Sequence, residues 1–501
     1  MANVCKVISV APIGFDGYPI EVESDMTKGL PTLQIVGLGN KSIDEAKERV
    51  RSAITNSQLE YPTKRITVNL APAELPKDGT HYDLPIALAL LASSGQLRQQ
   101  ELSGAVFAGE LSLDGHIRPI TGAVTIAETA KRLGYGTVYI PTANTPQASL
   151  VSGLNVIGVS SLKDIYLHLK GEIKLLPTVI EVRDAPDKKP RGPVLDDVYG
   201  QEQAKRALTI AAAGRHNILL TGPPGSGKTM LAKALRALLP ELSPQETLET
   251  TKLHSLAGTL IDGIITERPF RSPHHSASSI ALIGGGTKPK PGEISLAHLG
   301  VLFLDEIPEF PRSVLESLRQ PLEDKNVTIA RANGHANYPA DFMLVATMNP
   351  CPCGYLGDPT HECTCSTLQI LAYQKKLSGP LLDRIDMTIS VSPVRHDLLL
   401  TNTESILQHT VAKNLIKKAT EQQYSRYDSD NLYNSSISSR DVSKFIKLDK
   451  ASKTFIDQAA TKLGLSTRSY FKVLKVSRTI ADLDDSAEVT TSHIAEALQY
   501  R

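Results

Sequence analysis

The sequence predicts an α/β fold with a parallel sheet at its centre, and three segments support this. Residues Asn217–Thr221 form a short apolar strand, Gly222–Thr229 form a glycine-rich loop, and Met230–Leu239 have the pattern of a helix. Further along, Val301–Glu306 is an apolar strand that ends in two carboxylates. A strand that leads through a glycine-rich loop into a helix is typical of proteins that bind phosphate groups.

The glycine-rich loop follows the pattern G-x-x-x-x-G-K-[ST]. Its glycines let backbone N–H groups close around phosphate oxygens, while Lys228 can reach the β- and γ-phosphates and Thr229 offers a hydroxyl to Mg²⁺. Upstream, Val198 and Tyr199 could form a wall against the adenine. We therefore expect ATP and Mg²⁺ as cofactors. The loop residues predicted to bind the nucleotide are Gly222, Pro223, Pro224, Gly225, Ser226, Gly227, Lys228 and Thr229.

Three polar residues at strand ends are predicted to complete this site. Asp305 can hold the Mg²⁺ shell, and Glu306 can orient and deprotonate the attacking water. Asn349 ends the apolar run that begins at Val345, where an amide can position that water against the γ-phosphate. With Lys228, we predict Glu306 and Asn349 to be catalytic in ATP hydrolysis.

Composition excludes several classes of protein. The chain has 501 residues and a net charge of +1, so any nucleic-acid binding must come from local basic surfaces. No apolar run reaches the roughly 18 residues that a membrane helix needs. The N-terminal segment lacks a long apolar region and a small-residue cleavage site. We therefore expect a cytoplasmic protein without membrane partners.

The chain divides into four parts by composition. Residues 1–170 alternate short strands and helices, and 171–195 are rich in proline and charge, as linkers are. Residues 196–393 carry the nucleotide motifs, and 394–501 are polar, poor in strand signals and periodic like helices. In the first part we predict strands at Leu33–Val36, Ile66–Leu70 and Thr137–Ile140, and helices at Ile43–Asn56 and Asp83–Ser94.

Four of the five cysteines are arranged as C-x-C, nine residues and C-x-C. Four thiolates can close a tetrahedral Zn²⁺ site, and the segment between the pairs is long enough to turn back. We therefore predict a structural zinc site in an insertion at 351–365, with His361 as a possible replacement for one thiolate. Four reduced thiols without metal are the alternative. The predicted zinc ligands are Cys351, Cys353, Cys363 and Cys365, whereas Cys5 is predicted to be a core residue.

The order of these motifs resembles the AAA+ ATPases. Three longer signatures, Arg268–His275, Asn349–Gly354 and Asp383–Asp386, resemble the magnesium-chelatase-like branch and, within it, the YifB/ComM family. The resemblance covers nearly the full length of the chain. It implies an AAA+ P-loop core at 196–393 and an α-helical lid at 394–501.

The resemblance also implies a ring of identical chains, usually a hexamer, with ATP bound between subunits. Arg384 would act in trans as an arginine finger and be catalytic, and Arg468 would contact the nucleotide as a second sensor from the lid. The alternatives are a local salt bridge of Arg384 with Asp383 or Asp386, and a solvated helical arginine at 468.

Two insertions in the core carry basic residues. The glycine-rich segment 283–292 contains Lys288 and Lys290. Alternating residues over 327–338, around an Asn-Gly turn, predict a hairpin with Arg331 near its tip. In this AAA+ branch such insertions face the channel of the ring, so Lys288, Lys290 and Arg331 are predicted to contact DNA phosphates. A solvated loop and an ordinary surface hairpin are the alternative.

The N-terminal part resembles the proteolytic domain of Lon proteases, an α+β fold of the ribosomal S5-like type, at Leu75–Gly79 and Leu113–Gly122. That family uses a serine and a lysine, and here the matching positions hold His81 and Val124. A serine nucleophile needs its hydroxyl and a nearby amine base, so the required pair is missing. The remaining alternatives are a His81–Asp83 pair and a polar turn before a helix. We predict a non-catalytic platform for ring assembly or partner binding.

A DNA-translocating motor is the leading function. ComM-like proteins are associated with branch migration of recombination intermediates during natural transformation, and the resemblance carries that expectation to this chain. The alternative is a chelatase-type motor that remodels a protein partner; no small-molecule substrate other than ATP is expected. A protease is disfavoured by the missing dyad, and a nucleotide-gated scaffold by the presence of Glu306, Asn349 and Arg384. The residues themselves do not decide between DNA and protein.

Overall fold

Two large sheets and a helical segment organise the part of the chain that the computed structural model describes. Across this part, no helix is both long and apolar enough to cross a membrane. The described residues are 4–37, 41–178, 192–260, 262–286, 290–331, 334–358, 361–394 and 407–501.

The N-terminal sheet is mixed. Its strands, together with a small ribbon of β6 and β7, are β1 (Cys5–Ile13), β2 (Asp16–Thr27), β3 (Thr32–Val36), β4 (Arg65–Ala71), β5 (Ala105–Phe107), β6 (Glu110–Leu111), β7 (Ile117–Arg118), β8 (Thr137–Pro141) and β9 (Asn155–Val159). In the described residues the order is β3-β4-β2-β1-β5-β8-β9. Strand β2 pairs antiparallel with β1 and β4, whereas β5, β8 and β9 follow β1 in parallel.

One helix, Asp83–Ser93, lies at the centre of the N-terminal part. Its sequence is apolar on every side, so the helix is buried nearly throughout. The predicted strands and helices of this part all occur, with bounds that differ by at most two residues. The other helices here are Lys41–Asn56, Ala123–Arg132, Thr145–Ala148 and Leu162–Leu169.

The central sheet is parallel, as predicted. Its strands are β10 (Ile218–Thr221), β11 (Phe270–Arg271), β14 (Val301–Leu304), β17 (Met343–Met348) and β18 (Met387–Ser390), in the order β11-β14-β17-β10-β18 within the described ranges. Strands β14 and β17 are buried along their whole length, because helices cover both faces of a parallel sheet. Ligands of such sheets bind beyond the carboxyl ends of the strands.

The helix after the phosphate loop begins at Lys228, two residues before the predicted start, because Gly227 already provides its left-handed cap. Two antiparallel ribbons belong to the core: β12 (Gly284–Gly285) with β13 (Lys290–Pro291), and β15 (Asn326–Arg331) with β16 (Gly334–Pro339). The core helices are Glu202–Gly214, Lys228–Leu238, Pro244–Ala257, Ser279–Ile283, Glu293–Leu296, Arg312–Ser317, Arg319–Asp324, Thr367–Gln374 and Gly379–Leu382.

The C-terminal segment is helical, as predicted, and packs on the core helix Glu202–Gly214. Ile416 and Ile480 join the hydrophobic cluster of that helix, and Gln423 Nε2 donates to the Ala213 carbonyl at 3.0 Å. The helices of this segment are Gln408–Tyr427, Val442–Phe445, Lys450–Leu463, Thr467–Leu483 and Thr491–Gln499.

The N-terminal part contacts the core through helix Pro244–Ala257. The Gly122 amide donates to Ser255 Oγ at 3.1 Å, and Lys252 Nζ lies 2.6 Å from Glu128 Oε2. Most of the predicted linker lies outside the described residues, but Thr178 still donates to the Val156 carbonyl of β9 at 2.8 Å.

Candidate nucleotide-binding and catalytic site

Three strands bring the predicted nucleotide residues together. The phosphate loop follows β10, Asn349 follows β17, and the Asp305–Glu306 pair follows β14. Because β17 lies between β10 and β14, Asn349 stands between the loop and the carboxylates. Gly225 and Gly227 have φ values of 75° and 84°, a left-handed conformation that glycine adopts without the cost of a Cβ clash.

Lys228 lies within the curve of its own loop. Its ammonium donates to the carbonyls of Gly222 at 2.7 Å and Pro223 at 2.8 Å, and to Asn349 Oδ1 at 3.2 Å. Burial lowers the pKa of Lys228, and the Asp305 and Glu306 carboxylates oppose that shift. Lys228 and Asn349, each predicted to be catalytic, are therefore in direct contact.

Asp305 connects the loop to the neighbouring strand. Thr229 Oγ1 donates to Asp305 Oδ2 at 3.2 Å, and Thr347 Oγ1 donates to Asp305 Oδ1 at 2.5 Å. The Thr347 hydroxyl also accepts the backbone N–H of Glu306 at 2.9 Å. Sequence reasoning missed Thr347, although its place two residues before Asn349 puts both side chains on one face of the strand.

Glu306 occupies a left-handed backbone conformation, with φ of 51°. Such a conformation costs a non-glycine residue roughly 1–3 kcal/mol and concentrates at functional sites. The Glu306 side chain is exposed, whereas Asp305 is partly buried. The two neighbouring carboxylates therefore differ in environment, as their different predicted roles require.

The donor set fits a nucleotide with Mg²⁺. A hydroxyl and a carboxylate, from Thr229 and Asp305, are oxygen ligands of the kind that Mg²⁺ prefers, and they are already adjacent. When bound, the ion neutralises charge that develops on the phosphates. The backbone of the loop and Lys228 would hold the phosphates, and Glu306 would hold the water.

The adenine side is less defined. Val198 is buried at 4% exposure, whereas Tyr199 is 38% exposed, so the two predicted wall residues have different environments. Gln201, which sequence reasoning missed, donates from Nε2 to the carbonyls of Ser226 at 2.8 Å and Ser392 at 2.9 Å. It thereby joins the phosphate loop to the segment after β18, which the sequence offers no pattern to reveal.

Arg384 and Arg468 lie at the opposite end of the sheet. Arg384 precedes β18, and both arginines line a cavity of about 770 Å³ beside Asn217, which precedes β10. Since β10 has four residues, the strand separates this cavity from the loop by about 13 Å. The structure does not bring these two arginines to the phosphate loop of their own chain.

Both arginines meet one carboxylate. Arg384 forms an ion pair with Glu323, and Arg468 lies 3.6 Å from the same side chain. Arg384 also donates to the carbonyls of Arg319 at 3.0 Å and Pro380 at 2.7 Å. Its local partner is therefore Glu323, on helix Arg319–Asp324, rather than the Asp383 or Asp386 considered above. No sequence pattern connects residues so far apart.

The rest of the cavity lining carries charges of both signs. Its basic residues are Arg215, Lys325, Lys472 and Lys475, and its acidic residues are Asp341, Asp383 and Asp386. Burial lowers the pKa of Lys472 to about 8, against the opposing effect of Asp386, and burial also lowers the pKa of Lys475. With Arg384, Arg468 and Glu323 included, the lining has six basic and four acidic side chains.

Three family descriptions match successive parts of the chain. "Subunit ChlI of Mg-chelatase" matches residues 22–144, "Magnesium chelatase, subunit ChlI" matches 194–399, and "Magnesium chelatase, subunit ChlI C-terminal" matches 408–501. The competence protein ComM of Haemophilus influenzae is 45% identical over 506 residues, which cover 100% of this chain and 97% of that protein. The chain belongs to the YifB/ComM family of magnesium-chelatase-like ATPases.

Other relatives agree with this assignment. YifB of Escherichia coli, which is described as uncharacterized, is 43% identical over 98% of this chain and 96% of its own length. The uncharacterized protein Rv2897c of Mycobacterium tuberculosis is 40% identical over 99% of this chain and 98% of its own length. A magnesium-chelatase 67 kDa subunit of Chlorobaculum tepidum is 30% identical over 31% of this chain and 23% of that protein. The predicted resemblance is therefore confirmed at the level of the family.

The four clustered cysteines of this YifB/ComM protein lie together, directly after Asn349. Their sulfur atoms all lie within 4.8 Å of one another, and none forms a disulfide. His361 is not part of this group: its ring stacks on Tyr355, with centroids 4.8 Å apart. Cys5 is only partly buried, and it packs against the N-terminal hydrophobic cluster.

The predicted DNA-contact residues are only partly described. Lys290 is exposed and begins β13, and Arg331 ends β15, where it pairs with Gly334 of β16. The predicted hairpin is thus present. Lys288 and the Ala332–Asn333 tip lie outside the described residues.

The N-terminal candidates do not form a catalytic pair. His81 is buried, and its Nε2 lies 3.0 Å from the Val10 carbonyl. Burial lowers the pKa of His81 to about 4. Asp83 instead accepts from Arg49, at 2.7 and 3.0 Å. These contacts give His81 and Asp83 separate structural partners.

Proposed function

We propose that this chain is a ring-forming, ATP-hydrolysing motor of the cytoplasm that acts on DNA as a translocase or helicase. Its task would be branch migration of recombination intermediates during natural transformation. The name of the Haemophilus relative, a competence protein, supports the DNA role. The observation that carries the motor proposal is the separation of the phosphate loop from Arg384 and Arg468 on opposite ends of one sheet.

Each residue of the phosphate side has a proposed task. Lys228 and the loop amides bind the phosphates, while Thr229 and Asp305 hold Mg²⁺. Glu306 accepts the proton of the attacking water, and Asn349 positions that water. The contact between Lys228 and Asn349 supports this arrangement, because it places the amide beside the group that binds the γ-phosphate.

The position of the two arginines supports the proposed ring. A guanidinium at the amino end of the strands reaches a γ-phosphate only if a neighbouring copy supplies the nucleotide. In a hexamer, Arg384 would stabilise the charge of the transition state, and Arg468 would contact the same nucleotide. The small excess of positive charge in the cavity beside both arginines supports such an encounter with an anionic partner.

The DNA proposal is tested by ATPase stimulation. We expect single-stranded or forked DNA to raise the hydrolysis rate of the full-length protein, and we expect the protein to migrate branched DNA junctions in the presence of ATP. A chelatase-type motor that remodels a protein is the competing outcome, favoured by the matches to chelatase subunits. Stimulation by protein alone, with no response to either DNA, would support that alternative.

The channel contacts are tested by a triple substitution. Lys288→Ala, Lys290→Ala and Arg331→Ala together should lower the slope of log affinity against log salt by roughly 2–3, because each phosphate contact contributes about 0.7–0.9. DNA-free ATPase should not change. An unchanged salt slope would point to the C-terminal helices or the N-terminal part instead.

A matched control removes the same charge elsewhere. Lys417, Lys418 and Arg440 are exposed on the C-terminal segment. Their joint replacement by alanine changes the net charge equally, so it separates channel contacts from a general electrostatic effect.

Two further parts complete the proposal. The four-cysteine cluster would bind one structural Zn²⁺, since four thiolates leave no open position. The N-terminal part, of the Lon-protease-like type, would serve ring assembly or partner binding without peptidase activity. Its contacts to helix Pro244–Ala257 support a role that involves the core. ATP-dependent cleavage of casein by the purified protein would contradict this role.

A further inference from the structure

We infer that Zn²⁺ in the four-cysteine cluster fixes the position of the phosphate loop, so that metal occupancy controls ATP affinity. This inference rests on the ATP and zinc binding proposed above. It goes further, because a structural metal elsewhere in the fold would have no effect on the nucleotide beyond general stability.

The sulfur positions suit a tetrahedral ion. Cys351 Sγ lies 3.3 Å from Cys353 Sγ and 3.7 Å from Cys363 Sγ. Cys353 Sγ and Cys363 Sγ are 3.6 Å apart. Zinc–sulfur bonds of about 2.3 Å in a tetrahedron place sulfur atoms about 3.8 Å apart. The Cys353 amide also donates to Cys365 Sγ at 3.4 Å, which is the kind of supporting contact that orients metal ligands.

The first two ligands lie in a tight turn. The Gly354 amide donates to the Cys351 carbonyl at 3.0 Å, so residues 351–354 close on themselves. Gly354 is buried and has φ of 88°, where a side chain is strained. A metal held by Cys351 and Cys353 would fix this turn, because two of its four residues would be bonded to the ion.

The turn packs directly on the phosphate loop. A methyl group placed on Gly354 would lie 2.6 Å from Cδ and 2.7 Å from Cγ of Pro224. The proline ring is closed onto its own backbone, so it cannot rotate out of the way. The backbone of the metal turn therefore supports the third residue of the phosphate loop.

A second connection joins the turn to the phosphate loop through the residues that precede Cys351. Asn349 precedes Cys351 by two residues, and its Oδ1 accepts from Lys228 at 3.2 Å. Gln374 Nε2 reaches the intervening Pro350 carbonyl at 3.4 Å. The metal turn thus packs on the phosphate loop at Pro224, and the adjoining Asn349 accepts a hydrogen bond from Lys228. Without the ion, both supports would lose their fixed geometry, since metal binding and local folding are coupled.

Three variants of the full-length protein test the inference, with zinc content and the equilibrium Kd of a fluorescent ATP analogue as readouts. Cys363→Ser should lose the metal and weaken nucleotide binding by roughly 10-fold or more. Gly354→Ala should keep one zinc per chain and still weaken binding, because its methyl displaces Pro224. Cys5→Ser is the matched cysteine control and should alter neither quantity.

A suppressor separates the clash from backbone strain. Pro224→Ala removes the ring atoms that the methyl would meet, so its addition to Gly354→Ala should recover part of the lost affinity. If strain at Gly354 alone caused the defect, the second change would recover nothing, and the contact would not be the route of coupling.

The outcomes distinguish this inference from the proposals beneath it. A zinc-free wild type would remove the metal proposal and this inference together. Zinc-loaded wild type and zinc-free Cys363→Ser with equal ATP affinity would overturn the coupling and leave the metal site standing. Failure of the zinc-loaded wild type to bind ATP would contradict the proposed function itself. If Cys363→Ser does not fold, the ATP affinity of wild-type protein before and after removal of its zinc with a chelator decides instead, and equal affinities would overturn the coupling.

Discussion

The two ends of the parallel sheet are built differently. At the carboxyl ends, hydrogen bonds link Lys228 to Asn349 and Thr229 to Asp305, so residues from three strands form one connected group. At the amino ends, Arg384 and Arg468 share the carboxylate of Glu323. The first group contains the residues proposed to bind ATP and to activate the attacking water, whereas the second contains two guanidinium groups on one carboxylate. Within one chain the two groups lie at opposite ends of the sheet, and the proposed ring would bring them together across a subunit interface.

The amino-end contacts also differ in strength from each other. The Arg468–Glu323 pair joins side chains that are 43% and 52% exposed, and such surface pairs contribute about 0–1 kcal/mol. Arg468 can therefore exchange Glu323 for a phosphate at little cost. Arg384 is only 12% exposed and also donates to two carbonyls, so its release costs more. We expect Arg384 to set the geometry and Arg468 to adapt to it.

The largest expected effect comes from the arginine end. Arg384→Ala should bind ATP normally and hydrolyse it about 10³–10⁵-fold more slowly, as loss of an arginine finger does in other NTPases. Steady-state ATPase rates and nucleotide Kd values provide the measurement. Mixing this variant with Lys228→Ala should restore part of the activity, because some interfaces then contain an intact loop and an intact arginine.

Failure of the mixing experiment would contradict the proposed role of Arg384 at the subunit interface. In rings shown to exchange subunits, the absence of recovery would mean that Arg384 acts within its own chain or only holds Glu323. Normal hydrolysis by Arg384→Ala alone would remove it from the catalytic set altogether.

The next largest effect belongs to the carboxyl end. Glu306→Gln keeps the shape of the side chain but removes the base, so turnover should fall about 10²–10⁴-fold while ATP stays bound. Lys228→Ala should instead weaken binding as well, because it removes a charge that contacts the phosphates. Equal loss of nucleotide affinity in both variants would contradict these separate roles.

A smaller effect is expected from Thr347, the residue that supports both carboxylates. Thr347→Val removes the donor to Asp305 and the acceptor of the Glu306 amide. We expect the apparent affinity for Mg²⁺ or the kcat of ATP hydrolysis to fall roughly 10- to 100-fold. A titration of kcat against Mg²⁺ measures it. Thr420→Val is the control, since that buried hydroxyl only contacts the Ile416 carbonyl of its own helix at 2.8 Å. Matching effects in the two variants would indicate a loss of stability.

The smallest effect concerns pH at the arginine end. Burial lowers the pKa of Lys472 to about 8 from an ordinary value of 10.5. Between these values the unfolded chain binds the proton and the folded chain does not, so this lysine's contribution to the free energy of unfolding rises with pH. The stability advantage of Lys472→Met over wild type should therefore be largest near pH 7 and shrink toward pH 10.5. Thermal unfolding across this range measures it, with the exposed Lys417→Met as the matched substitution; a constant difference would contradict the buried, charged lysine.

The sequence predicted that the phosphate loop, the carboxylates and Asn349 belong to one site, because each follows a predicted strand; the hydrogen bonds between them come from the structure. It also placed the four cysteines in one cluster and the hairpin in the core. It did not reveal Glu323, Gln201 or Thr347. Their partners come from distant parts of the chain, and no local sequence pattern identifies a glutamate that pairs with two distant arginines.

What the sequence determined by itself is chemistry with local geometry: a glycine-rich loop that favours phosphate binding, an apolar strand that ends in acids, and two C-x-C pairs that favour a metal. These features depend on neighbours along the chain, so spacing alone reveals them. The tertiary structure decided which end of the sheet each group occupies, that Arg384 and Arg468 share one carboxylate, and that Gly354 rests on Pro224. Such facts depend on strand order and on packing between segments far apart in sequence, which periodicity and motif spacing do not encode.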